Sequence, residues 1–86
     1  MGSQDLQKLV RTHHRNMAEK CKEAIEDWKR LIGVFEKQLE SSTQLFEKYG
    51  DAAFKRFMDS DAANLAFYRK MLDVDMKLLD AYEADL

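Results

Sequence analysis

Apolar residues in the first half of the chain recur at alternating spacings of four, three and four residues. This eleven-residue pattern has about 3.67 residues per turn, so its apolar face stays aligned along a straight helix. No proline interrupts the pattern. The sequence therefore predicts one long helix over about residues 4–49. Its apolar ladder consists of Leu6, Val10, His13, Met17, Cys21, Ala24, Trp28, Ile32, Phe35, Leu39, Thr43 and Phe46.

A turn signal follows this helix at Lys48-Tyr49-Gly50-Asp51. Glycine readily adopts the left-handed conformation that ends a helix, and aspartate caps the helix that follows. We expect a turn at residue 50 and a second helix over about residues 52–85. The polar triplet Asp59-Ser60-Asp61 leaves a break at 59–61 open as an alternative. The prediction is an all-α chain with a single helical domain over 1–86: a long antiparallel hairpin, or three helices kinked near residue 60.

The second helix carries two adjacent apolar stripes, and together they are wider than one neighbouring helix covers. The first stripe contains Phe54, Met58, Leu65, Tyr68, Leu72, Leu79, Tyr82 and Leu86. The second contains Phe67, Met71, Val74, Leu78 and Ala81. We therefore expect this helix to need a second neighbour, and the hairpin to complete a four-helix or larger bundle by self-association.

A hairpin that turns at Gly50 places residues opposite each other when their numbers add up to about 100. This register leaves residues 3–12 without a partner, so Leu6, Leu9 and Val10 project as an apolar arm. We expect the arm to lie against a second copy near Phe67, Met71 and Val74. A homo-oligomer is expected, with a dimer favoured, or else contact with another protein.

Composition limits the remaining possibilities. The 86 residues carry a formal net charge of −2 with both signs interspersed, which does not suggest nucleic acid as a partner. There is no apolar run of about 18 residues, so no membrane span is expected. The single cysteine, Cys21, cannot form a disulfide within the chain, which favours a reducing, cytoplasmic location.

The candidate chemistry is sparse. His13, Met17 and Cys21 stand in one helical column and have the soft donors that suit Cu(I), although the column spans about 12 Å, too far to share one ion. Asp59-Ser60-Asp61 begins like a calcium loop but continues without its glycine and glutamate. No catalytic motif is present. We expect no enzymatic activity, no catalytic or metal-binding residues and no cofactor.

Three further residues are notable for their positions. Asp75 falls at an apolar position within reach of Lys22 or Lys29, where it forms an edge ion pair or sets the register of the helices. Phe57 lies off the main stripe and is a candidate for a docking surface near the turn. His14 is expected to point into solvent.

The segment from Gly50 to Phe57 resembles the turn of the small secreted helical hairpins that carry a Trp-x-Gly motif. In that family the turn leads into a helix with aromatic residues near its start, as Phe54 and Phe57 do here. Lys48 stands at the tryptophan position, and Tyr82 is followed by Asp85 three places on, where the family has an acid four places on. The resemblance covers about eight residues and implies a carrier in a secretion-type system.

The function that we predict from sequence is a non-enzymatic helical interaction module, acting as a self-associating scaffold or as an adaptor for a larger protein. The predicted interaction residues are Leu6, Leu9, Val10, Phe57, Phe67, Met71 and Val74. Two alternatives stay open: a helical-hairpin carrier or chaperone partner in a secretion-type system, and a bundle that binds a soft metal.

Overall fold

The structure is a computed structural model that describes residues 2–84 and 86. It contains two helices, α1 (Ser3–Tyr49) and α2 (Ala52–Ala84), which pack against each other as an elongated hairpin of 71 × 15 × 14 Å. No strand occurs in this part of the chain. The all-α hairpin predicted from sequence is confirmed. Helix α1 begins one residue earlier than predicted, and residue 85, the predicted end of the second helix, lies outside the described residues.

The turn between the helices is formed by Gly50 and Asp51. Gly50 has a φ of 66°, in the left-handed region, and its N–H donates to the carbonyl oxygen of Phe46 at 2.7 Å. This is the helix ending that glycine favours. The Asp51 carboxylate accepts the Ala53 N–H at 2.8 Å, and so satisfies a free donor at the start of α2.

Four contacts between the helices set their register. They recur every seven residues, upward along α1 and downward along α2, as an antiparallel pair requires. The pairs are Trp28 with Asp75, Phe35 with Tyr68, Ser42 with Asp61, and Tyr49 with Phe54. In each pair the two residue numbers add up to about 100, in agreement with the register predicted from a turn at Gly50.

The contact face of each helix, which we call the seam, alternates between spacings of three and four residues. On α1 the seam contains His14, Ala18, Cys21, Ile25, Trp28, Ile32, Phe35, Leu39, Ser42 and Phe46; on α2 it contains Phe54, Met58, Asp61, Leu65, Tyr68, Leu72, Asp75, Leu79 and Tyr82. This is a seven-residue repeat, so the eleven-residue ladder predicted for α1 is wrong in part. A face that must follow one partner helix repeats every 3.5 residues, and the longer repeat drifts away from it.

The drift misplaces several residues of the predicted ladder. Ser42 is buried where Thr43 was expected, and Ile25 is buried beside Ala24. His13 is exposed, and His14, expected in solvent, is half-buried with its ring centroid 5.6 Å from that of Tyr82. At the N-terminal end the ladder residues Leu6 and Val10 leave the seam altogether.

Two aspartates of α2 lie in the seam and are held by hydrogen bonds from α1. The Trp28 indole N–H donates to Asp75 at 2.5 Å, and the Ser42 hydroxyl donates to Asp61 at 2.7 Å. The expected partners of Asp75 are engaged elsewhere, because Lys22 pairs with Glu19 and Lys29 with Glu26.

Helix α2 runs without a break through residues 59–61, where a division into three helices was the alternative. Asp61 is taken into the seam by Ser42 instead of capping a new helix. The kink near residue 60 is therefore not seen in this structure.

Helix α1 extends well past the end of α2. It has 47 residues against 33, and residues 3–13 of α1, which we call the arm, are all exposed. At about 1.5 Å per residue the arm is roughly 16 Å long. It includes Leu6 and Leu9, whose relative exposures of 64 % and 69 % are high for leucine.

Candidate interaction surface

The two long sides of the hairpin have opposite chemistry. In an antiparallel helix pair, the residues just before one set of seam positions meet on one side, and those just after the other set meet on the opposite side. A groove between the two helices runs along each of these sides. One groove brings together Gln38, Leu45 and Phe57. The groove on the opposite side brings together Lys22, Lys29 and Met76.

The first side is uncharged along both of its inner columns, and we call it the apolar side. Its inner columns are Val10, Met17, Ala24, Leu31, Gln38 and Leu45 on α1, and Phe57, Asn64, Met71 and Leu78 on α2. Beyond them, at the outer edge, α2 contributes the apolar residues Phe67, Val74 and Ala81. The outer edge of α1 is mixed and contains Leu6, His13, Lys20, Asp27 and Val34. This surface is formed by both helices and follows most of the hairpin.

The opposite side, which we call the charged side, has mostly ionic residues at the equivalent positions. They are Arg15, Lys22, Lys29, Glu36 and Thr43 on α1, and Lys55, Ala62, Arg69, Met76 and Glu83 on α2. An ion pair of 3.6 Å between Glu36 and Arg69 crosses from one helix to the other. Both side chains are more than half exposed, so this pair contributes little stability. The charged side is a solvated surface.

Large side chains on the apolar side are open to solvent. Phe67 is 55 % exposed, Val74 40 % and Leu78 42 %. Their neighbours Met71 and Leu31 are half-buried, because the facing helix covers only their inner edges. Monomeric proteins rarely leave apolar patches of more than a few hundred Å² uncovered. These exposed apolar side chains make this side the candidate interaction surface of the hairpin.

The structure brings most of the predicted interaction residues onto one side. Phe67, Met71 and Val74 form a continuous strip on α2, and Leu6 and Val10 line one groove along the arm. Leu9 is set apart, since it lines a different groove with Asp5, Lys8 and Thr12.

Phe57 lies on the apolar side but is separated from that strip. Uncharged polar residues intervene between them: Gln38 and Ser41 on α1, Ser60 and Asn64 on α2. We call these four residues the polar band. Phe57 and Leu45 form a smaller apolar patch on the turn side of the band.

Several residues of the apolar side were not predicted as interaction residues. Met17, Ala24 and Leu31 follow Val10, a predicted interaction residue, at spacings of seven residues, and this spacing was the signal that could have found them. The predicted ladder assigned Met17 and Ala24 to the hairpin core. Leu78 was placed in the second stripe of α2 but was not singled out.

The candidate soft-metal column is divided among different environments. Cys21 is buried in the seam, Met17 lies at its edge, and His13 is exposed. Burial raises the pKa of the Cys21 thiol, and the negative charge of Asp75 raises it further. Among residues 2–84 and 86, no group of three or more His, Cys, Asp or Glu side chains could hold a metal ion.

Comparisons with protein-family models, curated proteins and solved structures found no match to this chain. Neither helix, over the residues that the structure describes, is long and apolar enough to cross a membrane.

Proposed function

We propose that this chain is a non-enzymatic helical interaction module that associates with a second copy of itself through the apolar side. The observation that carries the proposal is the contrast between the two sides of one hairpin. The inner columns of the apolar side are free of charge over the same length on which the charged side is ionic. Soluble monomers rarely leave a continuous apolar surface of that kind exposed.

The size of the apolar side supports a copy of this chain as the partner. A side that follows a hairpin of 71 Å length and 15 Å width offers an area on the order of 1,000 Å². A stable protein–protein interface buries about 800 Å² on each partner. Two hairpins that pair through their apolar sides form a four-helix bundle with the charged sides outward.

The test is the mass in solution, measured by light scattering after size exclusion. The unaltered chain of 10.1 kDa should elute with the mass of a dimer at micromolar concentration. Val74→Asp places a charge on the apolar side and should give a monomer with unchanged helical circular dichroism.

Met76→Asp is the matched control, because Met76 is 48 % exposed against 40 % for Val74 but lies on the charged side. This variant should remain dimeric. A monomeric unaltered chain, or equal loss of mass in both variants, would contradict the proposal.

A further inference from the structure

The arm continues the apolar side and not the seam. Extending the seven-residue seam of α1 below His14 leads to Arg11 and Gln7, both polar. Extending the inner column of the apolar side leads to Val10, and its outer edge leads to Leu6. The arm is therefore not suited to meet a longer α2 of its own hairpin. Leu6 and Val10 face the direction from which a partner on the apolar side would approach.

The polar band divides the apolar side into two parts. The larger part runs from Leu6 to Val34 on α1 and starts at Phe67 on α2. The polar band lies immediately beyond, on the turn side of both helices. The stretch from Leu6 to Val34 has an apolar inner column and carries His13, Lys20 and Asp27 at its outer edge. It is about 42 Å long at 1.5 Å per residue. With the 15 Å width of the molecule, it amounts to roughly 600 Å² per copy, at the lower limit for a specific dimer.

We infer that two copies pair through this stretch about a two-fold axis, with each arm lying across the apolar side of the other copy. The inference rests on the proposed function and specifies its geometry. A two-fold axis between the facing sides reverses the height of each residue but keeps it above the same helix, so perfectly aligned hairpins would leave the α2 strips uncovered. Two hairpins that cross at an angle bring each arm over α2 of the other copy. Leu6 then contacts Phe67 of the second copy, and Val10 contacts Met71 of the second copy.

In this arrangement the arm and the α2 strip that it covers have the same length and end at the same point. The arm is about 16 Å long, and so is the α2 strip from Phe67 to Leu78. The arm ends at the polar band, where the apolar surface of the second copy also ends. The axis passes near Lys20, whose position at the outer edge lets its long stem lie along the interface while the ammonium group stays in water.

Cross-linking between single-cysteine variants tests the geometry directly, in a Cys21→Ala background. Leu6→Cys and Phe67→Cys proteins are mixed, allowed to exchange and oxidised. The mixed pair should give a cross-linked dimer in high yield. Leu6→Cys mixed with Met76→Cys should not, because Met76 lies on the charged side.

Substitutions in the arm give a second, independent measurement. Leu6→Asp combined with Val10→Asp should weaken dimerisation by at least about 100-fold, since two apolar contacts of over 1.4 kcal/mol each are lost. Leu9→Asp is the control on the same arm and should change the dissociation constant less than about threefold, because surface substitutions away from a contact have small effects. Circular dichroism confirms that all variants stay helical.

The outcomes separate the inference from the proposed function. A dimer that cross-links Leu6 to Phe67 supports both. A dimer without that cross-link, or one that tolerates both arm aspartates, overturns the arm arrangement and leaves self-association standing. A monomer at all accessible concentrations overturns both.

Discussion

The hydrogen bond from the Trp28 indole N–H to Asp75 joins the two helices across a half-buried part of the seam. A carboxylate at this position satisfies the indole donor but does not pack as an apolar side chain would. Ser42 and Asp61 form the equivalent contact two seven-residue repeats away. Because each polar pair is satisfied only in one register, we interpret both as devices that prevent the helices from sliding.

A double-mutant cycle measures the first of these pairs. Trp28→Phe removes the donor and Asp75→Ala removes the acceptor, and each should lower the free energy of unfolding. The coupling between them should be about 1–2 kcal/mol, since hydrogen bonds to charged groups contribute about that much and Trp28 is only half-buried. Urea denaturation of the four proteins gives the value. Additivity within about 0.3 kcal/mol would show that the contact does not hold the register.

The reactivity of Cys21 follows from its burial in the seam. Its exposure is 6 %, and its pKa is raised above the ordinary value of 9.0, so little thiolate is present at neutral pH. Labelling by a bulky disulfide reagent should be much slower in the folded protein than in urea. Since the folded-state pKa lies above the unfolded one, the thiol stabilises the fold below pH 9.0 and this contribution is lost as pH rises through the folded pKa. Equal labelling rates in the two states would contradict the buried position.

At the scale of the elements, the two helices are long because no proline interrupts them. The hydrogen bonds that cap helix ends at Gly50 and Asp51 lie at the turn. Gly50 is the residue whose conformation requires glycine, and Gly33 lies in the middle of α1 on an exposed face. A Cβ added at either position meets no atom within 4 Å. The two glycines therefore differ in backbone conformation and not in available space.

Alanine substitutions should consequently have opposite effects at these two glycines. Gly50→Ala forces an L-residue into the left-handed region and should cost about 1–2 kcal/mol. Gly33→Ala removes the conformational entropy of glycine inside a helix and should stabilise the protein by up to about 1 kcal/mol. Thermal or urea unfolding of both variants measures the difference. Destabilisation by Gly33→Ala would indicate that the exposed face of α1 is covered at that position.

At the scale of the whole molecule, an isolated hairpin of this shape buries little. Over the part of the chain that the structure describes, the buried residues are Ala18, Cys21, Ile25, Ser42 and Leu65. Each helix has one neighbour, so every layer of the seam is open on both sides. A chain of this size is marginally stable without additional apolar contact. Association through the apolar side would supply that contact.

The midpoint of thermal unfolding should therefore depend on protein concentration. If dimerisation stabilises the folded chain, a tenfold rise in concentration should raise the midpoint by about 3–5 °C. Val74→Asp should abolish the dependence and lower the midpoint, whereas Met76→Asp should leave the dependence in place. A midpoint that does not change with concentration in the unaltered chain would show that folding and association are not linked.

The sequence by itself determined the elements of this protein and their order. The absence of proline, the long apolar period and the Gly50-Asp51 turn are local features, and they predicted both helices and the unpaired arm. The register followed from the position of the turn, because an antiparallel hairpin has little freedom once its turn is known. Part of the candidate surface was also predicted, because Phe67, Met71 and Val74 recur at helical spacing, which is a local feature of the sequence.

The tertiary structure decided which face of α1 is the seam and which side stays open. Over seven residues, repeats of 3.6 and 3.67 residues per turn differ from a repeat of 3.5 by only about 20° and about 33°. His13 or His14, and Ser42 or Thr43, therefore fit the pattern almost equally well when α1 is considered alone. The choice depends on the partner helix, because Tyr82 packs against His14 and Asp61 accepts from Ser42. The same rotation that brings these residues into the seam turns Val10, Met17, Ala24 and Leu31 onto the apolar side. Their seven-residue spacing places them on one face of α1, but the partner helix decides whether that face is the seam or the open side.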